Sequence, residues 1–203
     1  MPPHRYSRQD VITAALDLLN KEGLDAVTVR GVARRMHVNV NTVSFHVGTK
    51  ARLLGLMSDE VLTHLSLEDL PDNGLDRVRE ILRRYRKTLL MYRDGARLTA
   101  GNAPFEEHTL ELTEELVSSL SAAGVPDTQC ALGMWALFYY LLGITQEQQG
   151  SQYHPAAETA PASDRYPTLH RLRGDIFSED FDRRYEFGVE AVLARLSVAA
   201  EEC

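Results

Sequence analysis

The run Thr28-Val29-Arg30-Gly31-Val32-Ala33-Arg34-Arg35-Met36, continued by Val40-Asn41-Thr42-Val43-Ser44-Phe45-His46-Val47-Gly48-Thr49-Lys50, decides how this chain folds. Thr28 can accept a hydrogen bond from a first-turn amide, so a short helix is expected over residues 29–36. Asn39 or Asn41 can open the next, which stops near Val47-Gly48. In that helix Val43 and Val47 lie one turn apart and can pack inward, while Asn41, Thr42, Ser44, Phe45 and His46 point mostly elsewhere. Side chains of this kind suit base edges, thymine methyls and phosphates. Arg30, in the first turn of the preceding helix, is placed for a bidentate guanine contact. Lys50 stands where the following helix begins, so its charge and that helix's amides can hold a phosphate together.

Working outward, Ser7 with Asp10 reads as a capping box opening a helix with an apolar face of Val11, Ala15, Leu18 and Leu19, ended by Gly23. Three short helices, the second and third joined by a tight turn, form the geometry that lays one helix in the major groove. A polar face on one short helix is also what plain solvation looks like, and His46 alone reads as a surface histidine. Thr49 caps a fourth helix expected to run through Leu53, Leu56, Val61 and Leu65 before Pro71. It is the only continuous rod that the sequence provides between this head and the rest.

Beyond the Asp-Asn-Gly turn at 72–74, a helix to about Tyr92 carries Arg77, Arg79, Arg83, Arg84, Arg86 and Lys87 on its polar side. A short helix after Asp94, a long one over Phe105–Ala123, and an apolar one from Thr128 to about Gln149 capped by Asp127 are expected next. Residues 150–166 read as a loop, followed by a short helix near Pro167–Gly174 and a final one over about 180–200. The helical period dominates throughout, so the fold class is all-α. The expected organisation is a helix-turn-helix domain over 1–50 and a larger helical domain over 51–203, with nine to ten helices in all.

The 203 residues, 44% of them hydrophobic and 25% charged, have the balance of a globular protein. The net charge of −7 is uneven: residues 1–50 hold seven Lys/Arg against four acids, +3, which leaves −10 on the remainder. A basic head on an acidic body points to a head that meets phosphate. The N-terminus lacks the apolar stretch of a signal peptide, and the uncharged run Cys130–Ile144 is too short to span a bilayer. Two distant cysteines fit a reducing cytoplasm. No phosphate loop, nucleophile elbow or triad is present, the seven histidines are scattered, and Glu106-Glu107-His108 has no partner at metal-ligand spacing. No catalytic role and no cofactor are expected. The rival classes are a helical enzyme and a DNA-binding dimer without an effector.

The 28–36 run, with Thr42–Val47, Lys50, Leu53 and Leu54, resembles the DNA-binding signature of the TetR (tetracycline repressor) family over about residues 8–55. Leu90–Arg97, and Leu142-Gly143 with Glu147-Gln148-Gln149, resemble the C-terminal domain of that family's tetracycline-responsive members. The resemblance implies DNA contacts at Arg30, Val40, Asn41, Thr42, Ser44, Phe45, His46 and Lys50, and a homodimer built on the Thr128–Gln149 and final helices. Trp135 and Leu141 would then face the second copy. It also implies a small-molecule site, for which Ser66, Tyr85, Thr99, Asn102, Pro104, Leu116, Trp135, Phe138 and Glu147 are candidates, with Tyr139 as a further wall. Thr99 stands where tetracycline-binding members have a magnesium-ligating histidine, and Ile81 and Leu116 replace drug-binding amides. The expected effector is therefore metal-free and apolar, aromatic or polyketide-like, acting on a repressor bound to a palindromic double-stranded operator.

Overall fold

A computed structural model describes residues 6–101, 106–151 and 163–201, and every described regular element is helical. Helix α1 (Arg8–Glu22) opens on a complete Ser7/Asp10 capping box and buries Val11, Ala15, Leu18 and Leu19. A single 3-10 turn at Leu24–Ala26 leads into α2 (Val29–Met36), whose Thr28 cap accepts from the Gly31 amide at 2.9 Å. Gly31 lets α2 lie hard against that turn, since a Cβ there would come within 2.5 Å of the Ala26 carbonyl. His37 in the left-handed region (φ 56°) turns the chain sharply into α3 (Val40–Val47), capped by Asn39. Val43 and Val47 sit in the core beneath it.

Helix α4 (Lys50–Leu62) has Thr49 as its cap and ends earlier than expected. Thr63, His64 and Leu65 each bond back only three residues, and Arg84 then ties down the loop by donating to the carbonyls of Ser66 and Glu68 at 2.9 and 2.6 Å. Helix α5 (Gly74–Leu90) follows, capped by Asn73, then the short α6 (Gly95–Thr99) and α7 (Glu107–Ala122). Helix α8 (Asp127–Ser151) is the longest. The single short helix expected near Pro167 is two, α9 (Pro167–Arg171) and α10 (Arg173–Ile176), so the described residues hold eleven helices rather than nine or ten. Helix α11 (Phe181–Glu201) closes the chain and packs along α8. Gly133 and Gly188 permit that packing, because a Cβ would meet the Leu196 side chain at one and the Tyr140 ring at the other.

One continuous core runs from Val11 in α1 to Leu196 in α11. The uncharged run on α8 is not one face. Cys130, Leu137, Leu141 and Leu142 point into the subunit, while Leu132 and Tyr139 stay 70% and 63% exposed. Leu141, expected at a dimer face, is thus a core residue. Phe187 and Val198 of α11 are exposed as well. No described helix is long and apolar enough to cross a membrane.

Candidate functional site

Two regions concentrate unusual chemistry. The first is the outer face of α3. With Val43 and Val47 fixed inward, the other side chains have no choice but to project. Val40, Asn41, Phe45 and Lys50 are exposed, Thr42, Ser44 and His46 are half-buried, and Arg30 is exposed on the neighbouring α2. Phe45 is 86% exposed, with only the edge of His46 against it at 5.2 Å. Leaving a phenyl ring in water forgoes about 1.5–3 kcal/mol of burial, an arrangement that makes sense where another surface is to cover it. All eight residues singled out from the sequence lie on α2, α3 or the first residue of α4, and none of them is buried.

The cations of the two regions behave differently. The five arginines of α5 are engaged by acids: Arg77 with Glu115 at 2.5 Å, Arg79 with Glu190 at 2.6 Å, Arg83 and Arg84 with Glu80 at 2.7 Å, Arg86 with Asp182 at 2.6 Å. Hydrogen bonds from Arg83 and then Arg84 hold the Glu80 carboxyl down at about 2. The basic stripe of α5 is therefore internal scaffolding. Among the described residues no ion pair engages Arg30 or Lys50, while Arg35 is paired with Asp17 at 3.2 Å.

The second region is a hollow enclosed by α4, α5, α6, α7 and α8. Gly55, Ser58 and Leu62 come from α4, Tyr85 from α5, Thr99 from α6, Thr109, Leu112, Thr113 and Leu116 from α7, and Met134, Trp135 and Phe138 from α8. Aromatic rings form one wall, with Phe138 stacked on Tyr85 at 6.3 Å and edge-on to Trp135 at 5.7 Å. Polar groups are few. Ser58 donates to Thr99 Oγ1 at 3.4 Å, and Thr99 donates to the Gly95 carbonyl at 3.1 Å. Burial pushes the Tyr85 phenol well up, so the ring presents a neutral hydroxyl. Glu106, the one carboxylate on the wall, is paired with Arg52. Free volume is about 60 Å³, well short of the roughly 300 Å³ that a drug-sized molecule fills, so such a molecule would enter only by moving the walls.

Tyr85, Thr99, Leu116, Trp135 and Phe138 are thus brought together, and two of their companions are not. Ser66 is exposed on the α4–α5 loop, its hydroxyl accepting from the Glu68 amide at 3.2 Å and its carbonyl held by Arg84. Glu147 is exposed nine residues beyond Phe138, about 180° around a 3.6-residue helix, and lines a different hollow beside Phe177 and Arg184. Tyr139 lies outside the cavity, stacked on the outer side of Trp135 at 5.2 Å. Asn102 and Pro104 lie outside the described residues. Sequence reasoning missed Ser58, Thr109 and Thr113. The signal was there, since Ser58 is the lone polar side chain on the buried stripe of α4 and Thr109 and Thr113 stand one turn apart.

Two bridges join the regions, not the single rod that the sequence offered. Helix α4 follows α3 after a link of two residues, Gly48 and Thr49, and reaches the cavity at Gly55 and Ser58. The second bridge is the α5–α6 corner. Asp94 accepts from the Leu24 amide at 2.8 Å, Arg93 donates to the Lys21 carbonyl at 3.1 Å, and Arg97 pairs with Asp25 at 2.7 Å. Buried Gln149 fixes that corner from α8, donating to the carbonyls of Leu89 and Tyr92 at 3.0 and 2.7 Å and accepting from the Ala96 amide at 3.1 Å. Thr99, at the far end of α6, is already in the cavity wall.

A helix-turn-helix head whose reading helix is wired to an apolar hollow in a helical body defines a ligand-responsive DNA-binding regulator. The comparisons agree. Residues 11–57 match the profile "Bacterial regulatory proteins, tetR family", and residues 70–199 match "Tetracyclin repressor-like, C-terminal domain", so the chain belongs to the TetR family. It is 31% identical over 196 residues to tetracycline repressor protein class G of Vibrio anguillarum, covering 94% of this chain and 93% of that one. Among solved structures, apo ActR of Streptomyces coelicolor superposes with a TM-score of 0.84 at 29% identity, over 98% of each chain. ActR in complex with actinorhodin gives the same score and identity, over 97% of this chain and 96% of ActR.

Proposed function

We propose that this protein is a homodimeric repressor that holds a palindromic operator through α3 and lets go when a neutral, largely apolar ligand occupies the cavity. Residues 1–50 are the reader and 51–203 the sensing and dimerising part, working in the cytoplasm where the DNA is. One observation carries the reading: α4 touches both regions, entering beside the recognition helix and forming a cavity wall with Gly55, Ser58 and Leu62. Ligand that spreads the walls must displace α4, and a shift of a few ångströms changes the spacing of two recognition helices on one duplex. Ligand and DNA then oppose each other with one coupling energy, typically about 1–3 kcal/mol from either side.

The donor set suggests the ligand's chemistry. Five hydroxyls, from Ser58, Tyr85, Thr99, Thr109 and Thr113, with aliphatic side chains and an aromatic wall, suit a flat, largely apolar molecule that carries carbonyl or hydroxyl groups. Hydroxyls are poor ligands for a divalent ion and the one carboxylate is paired, so we read the response as independent of metal. That ActR is found with actinorhodin supports a polyketide-like aromatic. The exposed apolar residues Leu132, Tyr139, Phe187 and Val198 on α8 and α11 supply the surface that a second copy would cover in a four-helix bundle. The test is selection of bound sites from random duplexes, then titration of the complex with aromatic and polyketide-like compounds, with and without chelator. Release that survives chelation supports the reading. Release by tetracycline only when magnesium is present contradicts it. No release by any compound favours a DNA-binding dimer with a filled core, which the small free volume would suit.

A further inference from the structure

Helix α7 begins without a cap from its own sequence. Glu106, at its N-cap position, makes no side-chain hydrogen bond to the first turn and pairs instead with Arg52 of α4. The first turn is met from outside. Asp59 of α4 turns its carboxylate onto α7: Oδ1 accepts from the Thr109 amide and hydroxyl, both at 2.9 Å, and Oδ2 lies 2.9 Å from His108 Nδ1. A carboxylate at this point satisfies an orphan amide and meets the positive end of the helix dipole. Because the carboxylate comes from another helix, 50 positions away, this cap is a tertiary tie. It is also contiguous with the cavity, since Ser58 precedes Asp59, Thr109 lines the wall, and Thr113 one turn on donates to the Thr109 carbonyl at 2.7 Å.

We propose that Asp59 is a positioning residue that yokes α7 to α4, so that a ligand shifting the α7 wall moves the helix that starts beside the recognition helix. This rests on reading the cavity as the effector site. Without the yoke, the exposed Arg52 side of the Glu106 pair is left to tie the start of α7 to α4, and the α7 wall can yield to a ligand while α4 stays where DNA needs it.

His108 makes the yoke pH-sensitive. The charged groups facing it are Asp59 from α4 and Glu107 and Glu111 from α7 itself, and the surrounding Leu62, Thr63, Leu65, Leu67 and Leu112 carry no charge. The hydrogen bond that the imidazole donates to Asp59 raises it above its ordinary value, against partial burial. Burial works to raise the Asp59 carboxyl, but His108 and Thr109 together hold it below the usual range. The charged tie is therefore complete below the ordinary histidine value of 6.5 and weakens as pH rises through the raised one.

Amide hydrogen exchange and release of selected operator DNA test the proposal together, with N-phenyl-1-naphthylamine as a neutral apolar probe. In Asp59→Ala, the amides of residues 107–111 should exchange about fivefold faster while the far end of α7 is unchanged. Asp59→Asn, which keeps an oxygen toward Thr109, should recover part of that protection. The probe should bind Asp59→Ala as tightly as wild type yet displace DNA about tenfold less effectively. His108→Gln should abolish the pH dependence of that displacement between about pH 6 and 8. Wild-type exchange and wild-type displacement in Asp59→Ala would overturn the proposal. If the probe fails to bind wild type, the cavity reading falls and the transmission with it, while the exchange result still decides whether Asp59 holds α7.

Discussion

The head and the cavity are built by opposite rules. On α3, Val43 and Val47 are buried and the other six residues are exposed or half-buried, so the sequence of one eight-residue helix almost writes its surface. The cavity takes its walls from five helices spread over residues 55–138, and no local stretch contains it. A surface for a rigid polymer can be presented by one element, whereas a hollow for a small molecule has to be assembled. One contrast follows: changes to the exposed side chains of α3 should alter DNA binding and nothing else, and changes in the cavity should reach DNA only through α4 and the α5–α6 corner.

The largest expected effect separates the two sides of α8 and α11. Leu141→Asp buries a charge without a partner and should cost about 3–5 kcal/mol, seen as loss of the helical signal in thermal unfolding. Phe187→Asp, on the exposed face, should keep the helical signal and sediment as a monomer that no longer holds a palindromic site. A dimeric Phe187→Asp variant would show that α11 is not the covered face.

Legibility followed the same division. The caps Ser7, Thr28, Asn39 and Thr49 lie within three residues of the amides they bond, and the expected bounds of α1, α2 and α3 match the structure closely. The all-helical class and the TetR membership were legible for the same reason. Ser66 and Glu147, which the family resemblance groups with Phe138, lie apart from the cavity in this structure. Arg84 pins Ser66 into an exposed loop, and Glu147 lies half a turn out of register with Phe138. The Asp59–Thr109 tie spans 50 residues, and no spacing rule announces it.

Smaller effects sharpen the contrast. Phe45→Ala should weaken operator binding by about 1–3 kcal/mol, with thermal stability unchanged because the ring touches little of the fold. Lys50→Ala should weaken binding to all duplexes alike and reduce the slope of log affinity against log salt by about 1. A specific loss at one base pair would instead make Lys50 a base reader. Smallest, Tyr85→Phe removes a buried hydroxyl from the cavity wall and should change stability by no more than about 1.5 kcal/mol, leaving DNA affinity intact without ligand.

The central claim is that a filled cavity and bound DNA exclude each other, and it can be tested without knowing the effector. Thr113 lines the hollow from α7, away from the head. Thr113→Trp places an indole where only about 60 Å³ is free, so the walls must spread as they would around a ligand. The decisive measurement is the affinity of Thr113→Trp for selected operator DNA beside Thr113→Val, with helical content and sedimentation confirming a folded dimer. The account predicts binding weakened by about tenfold or more in the tryptophan variant alone. A folded, dimeric Thr113→Trp that holds its operator as tightly as Thr113→Val would contradict it.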